Sequence, residues 1–360
     1  MSTRRMLSIQ IMRIVACIGV FNGHFLGLTL QSKTSLHFLT WLRNGWVSRT
    51  PLCVLFQGDT NISLFLVIAG FLQAFGWTCT SWRRSLSGFC YRYLELMVPT
   101  IIVTILCGIS LKVQEMFRVG GIEFEVKTFV SDILIVLIKG GTPTYSYHLW
   151  YMRDLVKCIF LAMLFLKYAN DKYKKIVLYI VALVFFAFTS TTCFAYFSGM
   201  IVGEITEMYR NRENSRKGKW KWIAIGSICL FLFPFVFNED HLQSKNVLLL
   251  SICFATLLLA TLNLEKDYKP DRCKKCYKVL SFLDKNTFSF YLLHVFVFRT
   301  FSYNVFNQMK EVICVKEEMH ILVTWIVSVV ICLMISNIFT KYVLGFLRKK
   351  RRDIDEGITL

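Results

Sequence analysis

Arg13 and His24 stand eleven positions apart in the otherwise apolar run Arg-Ile-Val-Ala-Cys-Ile-Gly-Val-Phe-Asn-Gly-His. Their types suit two different tasks. A neutral imidazole can take a proton from a poor nucleophile near pH 7. A guanidinium keeps its charge and grips phosphate oxygens through two parallel hydrogen bonds. A cation near the centre of a bilayer costs roughly 2.5 to 3.5 kcal/mol on insertion scales, so an intramembrane Arg and His mark a candidate functional site. At 3.6 residues per turn, eleven steps return to within about 20° of the starting face, about 16 Å further along the axis, and both side chains look into one interior. Competing roles are snorkelling or a structural ion pair for Arg13, and a hydrogen-bonded interfacial histidine for His24.

The elements that must position these residues are membrane helices. Apolar residues make up 55% of the 360, the mean hydropathy is +0.51, and apolar stretches near 20 residues recur. That is the length needed to cross hydrocarbon. The fold class is therefore all-α, a polytopic integral membrane protein of about ten transmembrane helices. They are expected at about residues 7–28, 60–79, 94–113, 147–167, 176–192, 193–208, 220–237, 246–264, 280–302 and 321–346. The pair around 176–208 shares one apolar run, which makes its boundary the hardest to place. The first apolar stretch is too long for a signal peptide and lacks a small-residue cleavage site, so it is expected to persist as a helix. Residues 1–347 form one transmembrane domain and 348–360 a basic tail, without internal repeats or a soluble appendage.

The net charge of +19 is distributed by topology. With the N-terminus inside, the inner segments hold Arg4 and Arg5, then Arg83, Arg84 and Arg92, then Lys167, Lys172, Lys174 and Lys175. The 210–221, 266–278 and 348–352 runs continue the series, whereas the outer loops carry fewer cations, offset by acids such as Glu123, Glu125, Glu239 and Asp240. Both termini are thus expected in the cytoplasm, and the basic runs are expected to meet anionic lipid headgroups rather than nucleic acid. Of thirteen cysteines, only Cys53 and Cys314 fall outside in this topology. Cys273 and Cys276 have a CxxC spacing, but a zinc site needs a second ligand pair and the loop offers none, so no metal is expected.

Further polar residues punctuate the later helices. His148 and Trp150 begin the fourth expected span, where an aromatic belt explains Trp150, while His148 could line an acceptor cleft. His294 lies deeper, in an aromatic and aliphatic run, and suits a supporting hydrogen bond between helices. Arg153 and Asp154 are expected to include an intramembrane pair, which offsets the cost of burial more simply than catalysis would.

Several segments occur in a familiar order: Arg13-x10-His24, GDTNISLFLVIAGF ending at Phe71, FCYRYLELMVP with Arg92 and Pro99, YHLWYM with His148 and Trp150, FSGMIVGEI, and FLDKNTFSFYLLH with Tyr291 and His294. The set resembles the membrane-bound acyltransferase family 3, over nearly the whole chain. The resemblance implies a ten-helix core that moves an acyl group from acyl-CoA to hydroxyls of cell-surface polysaccharides or their lipid-linked precursors, with acetyl-CoA the expected donor, in the plasma membrane. It implies no permanently bound cofactor. His24 becomes the expected general base, Arg13 and Arg92 the donor-binding arginines, and His148, Trp150, Tyr291 and His294 an acceptor cleft or its support. The chain departs from the family pattern at Ala69, where Ser is frequent, and at Leu96, where a second arginine is frequent. The alternative class is a transporter or flippase with a polar pathway lined by Arg13, His24, Arg153 and Asp154, although no symmetric halves or paired broken helices are visible.

Overall fold

The computed structural model describes residues 6–29, 50–56, 58–76, 82–116, 124–134, 143–168, 172–209, 216–237, 244–265, 274–302 and 317–350. No strand occurs among them. Helices α1 (Leu7–Thr29), α2 (Gly58–Gly76), α3 (Trp82–Met116), α5 (Trp150–Tyr168), α6 (Lys172–Thr189), α7 (Thr191–Tyr209), α8 (Arg216–Phe237), α9 (Ser244–Glu265), α10 (Lys274–Val297) and α11 (Glu317–Phe339) fall on the ten expected segments. A short helix, α4 (Val126–Leu134), was not expected. Four described segments are long and apolar enough to cross a membrane: Leu7–Phe25, Ser85–Glu115, Val247–Glu265 and Met319–Lys350. The protein is a membrane protein. The last helical stretch runs on through Arg348, Lys349 and Lys350, where the sequence suggested the start of the tail. Cys273, Cys314 and residues 351–360 lie outside the described residues.

Two local features correct the expected boundaries. The α6/α7 break falls at Ser190 rather than at 192–193, because Ser190 acts as an N-cap: its Oγ accepts from the Cys193 N–H at 3.4 Å. Helix α3 begins twelve residues before the expected 94 and spans 35 residues, about 50 Å at 1.5 Å per residue. It contains Pro99, which supplies no N–H. The adjacent Thr100 and Thr104 hydroxyls donate back to the carbonyls of Leu96 and Thr100, at 2.7 and 3.0 Å.

The chain divides into two compact units, the first comprising Met1–Gly23, Thr40–Leu86 and Lys157–Asp284. Its core contact joins α2 and α7 through glycines. A Cβ on Gly70 would meet the Tyr196 carbonyl oxygen at 1.9 Å, and one on Gly199 would meet that of Val67 at 1.9 Å, so the two backbones touch. Ala195, Gly199 and Gly203 repeat every four residues along α7, the small-residue row by which membrane helices approach closely. The glycines of the AGF and SGMIVG segments therefore serve packing. At the start of α1, the Glu265 carboxylate accepts the Leu7 and Ser8 N–H groups at 2.5 and 3.0 Å, satisfying donors that the helix itself leaves open. The 3₁₀ turn Pro51–Phe56 is held by Asn22 and Asn61, which donate to the Leu55 and Val54 carbonyls at 2.8 and 2.6 Å.

The second unit comprises His24–Leu39, Ser87–Val156 and Lys285–Leu360. On α11 and the π-helical turn Thr340–Leu344 that follows it, His320, Thr324, Ser328, Cys332, Ser336 and Thr340 form an i+4 row, all buried. Ser328 meets Ser302 at 2.5 Å, and Thr340 meets Ser289 at 2.6 Å. Interhelical hydroxyl pairs of this kind join helices where apolar side chains give no net preference. A second π turn, Phe298–Ser302, follows α10 and carries Arg299. Such turns recur at functional sites, because the extra residue re-aims the side chains around it.

Candidate functional site

Four of the expected site residues converge in the second unit. On α10, Tyr291 and His294 are three residues apart and lie on one face of the helix, and Phe298, four further on, opens the π turn that follows. The Tyr291 hydroxyl donates to the His148 carbonyl, and the His148 Nε2–H donates to the Leu292 carbonyl at 3.0 Å. His294 Nδ1–H donates to the Tyr291 carbonyl at 2.5 Å. Each of these two histidines therefore has one ring nitrogen committed to a backbone oxygen. The other nitrogens, His148 Nδ1 and His294 Nε2, are buried and have no hydrogen-bond partner among the described residues.

His24 joins them from the C-terminal part of α1. Its ring stacks on His294 with centroids 5.2 Å apart, and His294 meets His148 edge-on at 5.0 Å. His148 and His294 are almost fully buried, at 1% exposure each, whereas His24 is half-buried. Phe25, next to His24, packs against Phe298 at 5.6 Å. Three imidazoles thus form a continuous cluster in which, among the described residues, His24 is the least buried. Tyr151 packs edge-on to Tyr291 at 4.8 Å.

Three residues of this site did not emerge from the sequence. Tyr147 shares a 3.1 Å hydrogen bond with His24 Nδ1 and packs edge-on to its ring at 5.3 Å. The short 3₁₀ turn Tyr147–Leu149 that presents it is fixed just upstream by two charged groups. The fully buried Asp132 of α4 accepts the Thr144 and Tyr145 N–H groups at 2.7 and 2.6 Å, and Arg299 donates to the Tyr145 carbonyl. Arg299 also lies 5.8 Å from the Tyr147 ring centroid, in cation–π range. Tyr147 sits in the YHLWYM segment that singled out His148 and Trp150, so its hydroxyl beside a site histidine was the available signal. Asp132 and Arg299 gave none beyond being charged residues in mainly apolar surroundings.

The remaining expected residues are engaged elsewhere. Trp150 is half-buried as the first residue of α5. Arg92 is 47% exposed on α3 and pairs with Glu95 at 3.2 Å. In the first unit, Arg13 pairs with Asp284 at 3.0 Å, with both side chains largely buried, which is the ion-pair alternative for that residue. Arg153 and Asp154 form the expected pair, at 3.4 Å.

The arrangement supplies a half-buried histidine with a fixed hydrogen-bond partner, backed by two buried imidazoles. That is the equipment for taking a proton from a hydroxyl in a dry site. No curated protein and no solved structure matches the chain. The family model described as an acyltransferase domain matches residues 6–340, nearly the whole length, and the chain belongs to that family, acyltransferase family 3.

Proposed function

We propose that this membrane acyltransferase moves an acyl group, acetyl first among candidates, from acyl-CoA to a hydroxyl of a cell-surface polysaccharide or its lipid-linked precursor, in the plasma membrane. The observation that carries the reading is His24, half-buried in a histidine and tyrosine cluster with its Nδ1 bonded to Tyr147. In the proposed step, the second nitrogen of His24 takes the proton of the acceptor hydroxyl as its oxygen attacks the thioester carbonyl carbon. The carbon–sulfur bond breaks, the coenzyme A thiolate leaves, and the imidazolium returns the proton to that sulfur. Atoms and charge balance with no further reactant, and His24 is regenerated.

On the donor side we assign Arg13 and Arg92. An arginine oriented by a carboxylate, as Arg13 is by Asp284, can still offer its remaining N–H groups to a phosphate. The half-buried carboxylate also lowers the cost of holding the cation ready. His148, Tyr291 and His294 then form the wall on which the acceptor side of the site is built. Membership of the acyltransferase family supports this reading over a transporter with a pathway lined by Arg13, His24, Arg153 and Asp154.

The full chain in lipid nanodiscs, supplied with acetyl-CoA labelled in the acetyl group and the lipid-linked glycan fraction of its own cells, should move label into glycan. Release of coenzyme A thiol should accompany it mole for mole. Label that stays on coenzyme A in the presence of that fraction overturns the donor and acceptor assignment.

A further inference from the structure

A histidine serves as a base only through a nitrogen that carries no proton, so the tautomer of His24 decides whether its substrate-facing atom is basic. His24 Nδ1 lies 3.1 Å from the Tyr147 hydroxyl. If the phenol donates to Nδ1, the mobile proton sits on Nε2 and the ring cannot accept another there. If Nδ1–H donates to the phenol oxygen, Nε2 is bare and ready. Nothing in the imidazole alone favours the second arrangement. The role given to His24 requires it, because the nitrogen that takes the acceptor proton must be bare, and the ring's own proton then sits on Nδ1, facing the Tyr147 oxygen at 3.1 Å.

The turn is also built so that this phenol cannot drift. Tyr145, two residues upstream, has its N–H held by Asp132 and its carbonyl held by Arg299. Asp132 also takes the Thr144 N–H, and the Ser146 and Thr104 hydroxyls meet at 3.3 Å. Asp132 is at 0% exposure, and such charge-assisted bonds in a dry interior are stronger than neutral ones and geometrically demanding. A loop whose only duty was to join two helices would not require a buried carboxylate and a guanidinium on the two peptide groups that flank one residue.

We propose that Tyr147 is the positioning residue of the general base: its hydroxyl oxygen accepts the His24 Nδ1–H, locks the tautomer with Nε2 bare, and is itself held in register by Asp132 and Arg299. The inference rests on the role given to His24 above and adds a partner to it.

Two measurements test it. The first is independent of any substrate: nitrogen-15 NMR of the full chain in bilayers, labelled at its six histidines, with the His24 signals identified as those lost in His24→Gln. Wild-type protein should show His24 with a protonated Nδ1 and an unprotonated Nε2, and Tyr147→Phe should scramble the two forms. A wild-type His24 protonated at Nε2, or a tautomer unchanged in Tyr147→Phe, overturns the proposal even if His24 proves to be the base. The second is kinetic, with acetyl-CoA as donor. Loss of one such hydrogen bond should lower kcat by about tenfold to a hundredfold with KM for acetyl-CoA unchanged. Tyr147→Phe should add no further loss in a His24→Gln background, since residues acting as one unit are not additive. Full activity in Tyr147→Phe beside an inactive His24→Gln removes Tyr147 alone, whereas full activity in His24→Gln removes both the base and its partner.

Discussion

At the scale of the residue, three histidines share one stack but do not share one environment. His148 and His294 each spend a nitrogen on a backbone carbonyl and lie at 1% exposure, while His24 is half-buried and bonded to a side chain. That difference is the ground on which His24 is proposed as the base. His24→Gln keeps size and hydrogen bonding but not basicity, and should lower acyl transfer by the 10²- to 10⁴-fold typical of losing a general base, at unchanged membrane abundance. The wild-type rate should fall as pH drops through the titration of the base, because protonation fills the nitrogen that must accept, and that acid limb should be missing in the Gln variant. Transfer at the wild-type rate in His24→Gln would hand the role to His148 or His294. Arg13 makes a separate prediction. Arg13→Ala should weaken coenzyme A binding, read by titration calorimetry, more than Asp284→Asn does, and Arg13→Lys should recover only part, since an ammonium lacks the planar fork. Equal donor affinity in Arg13→Ala and wild type would leave Arg13 as a purely structural partner of Asp284.

At the scale of the element, the glycines of α2 and α7 define the stability of the first unit. Adding a methyl at Gly70 forces 1.9 Å contact with a backbone oxygen, which cannot swing aside as a flexible side chain can, whereas a Cβ at Gly226 meets only methyl groups at 3.6 Å and beyond. Gly70→Ala should therefore destabilise the protein by about 1 to 3 kcal/mol, and Gly226→Ala should be neutral or slightly stabilising through helix propensity. Thermal melts of the two purified variants, followed by size-exclusion fluorescence, check the contrast; equal melting temperatures would mean that the helices part more easily than their backbone contact implies. Elements of this kind were legible in the sequence. Runs of apolar residues marked ten helices, and the eleven-residue spacing of Arg13 and His24 put both on one face of the first. The partners of those faces were not legible. Tyr147 reads as one more aromatic at a membrane boundary, Asp132 stands 13 residues before Tyr145, and Arg299 stands 154 residues after it. Only tertiary packing brings them to Tyr145. The early start of α3 escaped for a different reason: its first turns, Trp-Arg-Arg-Ser-Leu-Ser-Gly, are polar, so hydropathy ends the helix where its hydrogen bonds continue.

At the scale of the whole molecule, helices and orientation are separate questions. Ten long helices are described, four of them containing segments that are apolar enough to cross a bilayer by themselves, and the orientation rests on where the cations lie. The net charge of +19 is concentrated in the segments before α1, around the start of α3, between α7 and α8, between α9 and α10, and in the tail. Charge retention on the cytoplasmic side acts through short loops of this kind, and the acids that dilute them gather in the alternate segments. If the ten helices all cross, both termini lie inside. Cys90 at the start of α3 and Cys276 at the start of α10 are exposed thiols already present on the inner side of that topology. An impermeant maleimide applied to intact cells should miss both and reach them after permeabilisation. Single cysteines placed in the 210–221 segment and the tail should behave the same way, while one placed between 117 and 123 should label from outside without permeabilisation. Labelling of Cys276 or the tail in intact cells would invert the molecule. It would also put the arginines proposed for the donor on the side away from cytoplasmic acyl-CoA, so the orientation experiment bears directly on the proposed chemistry.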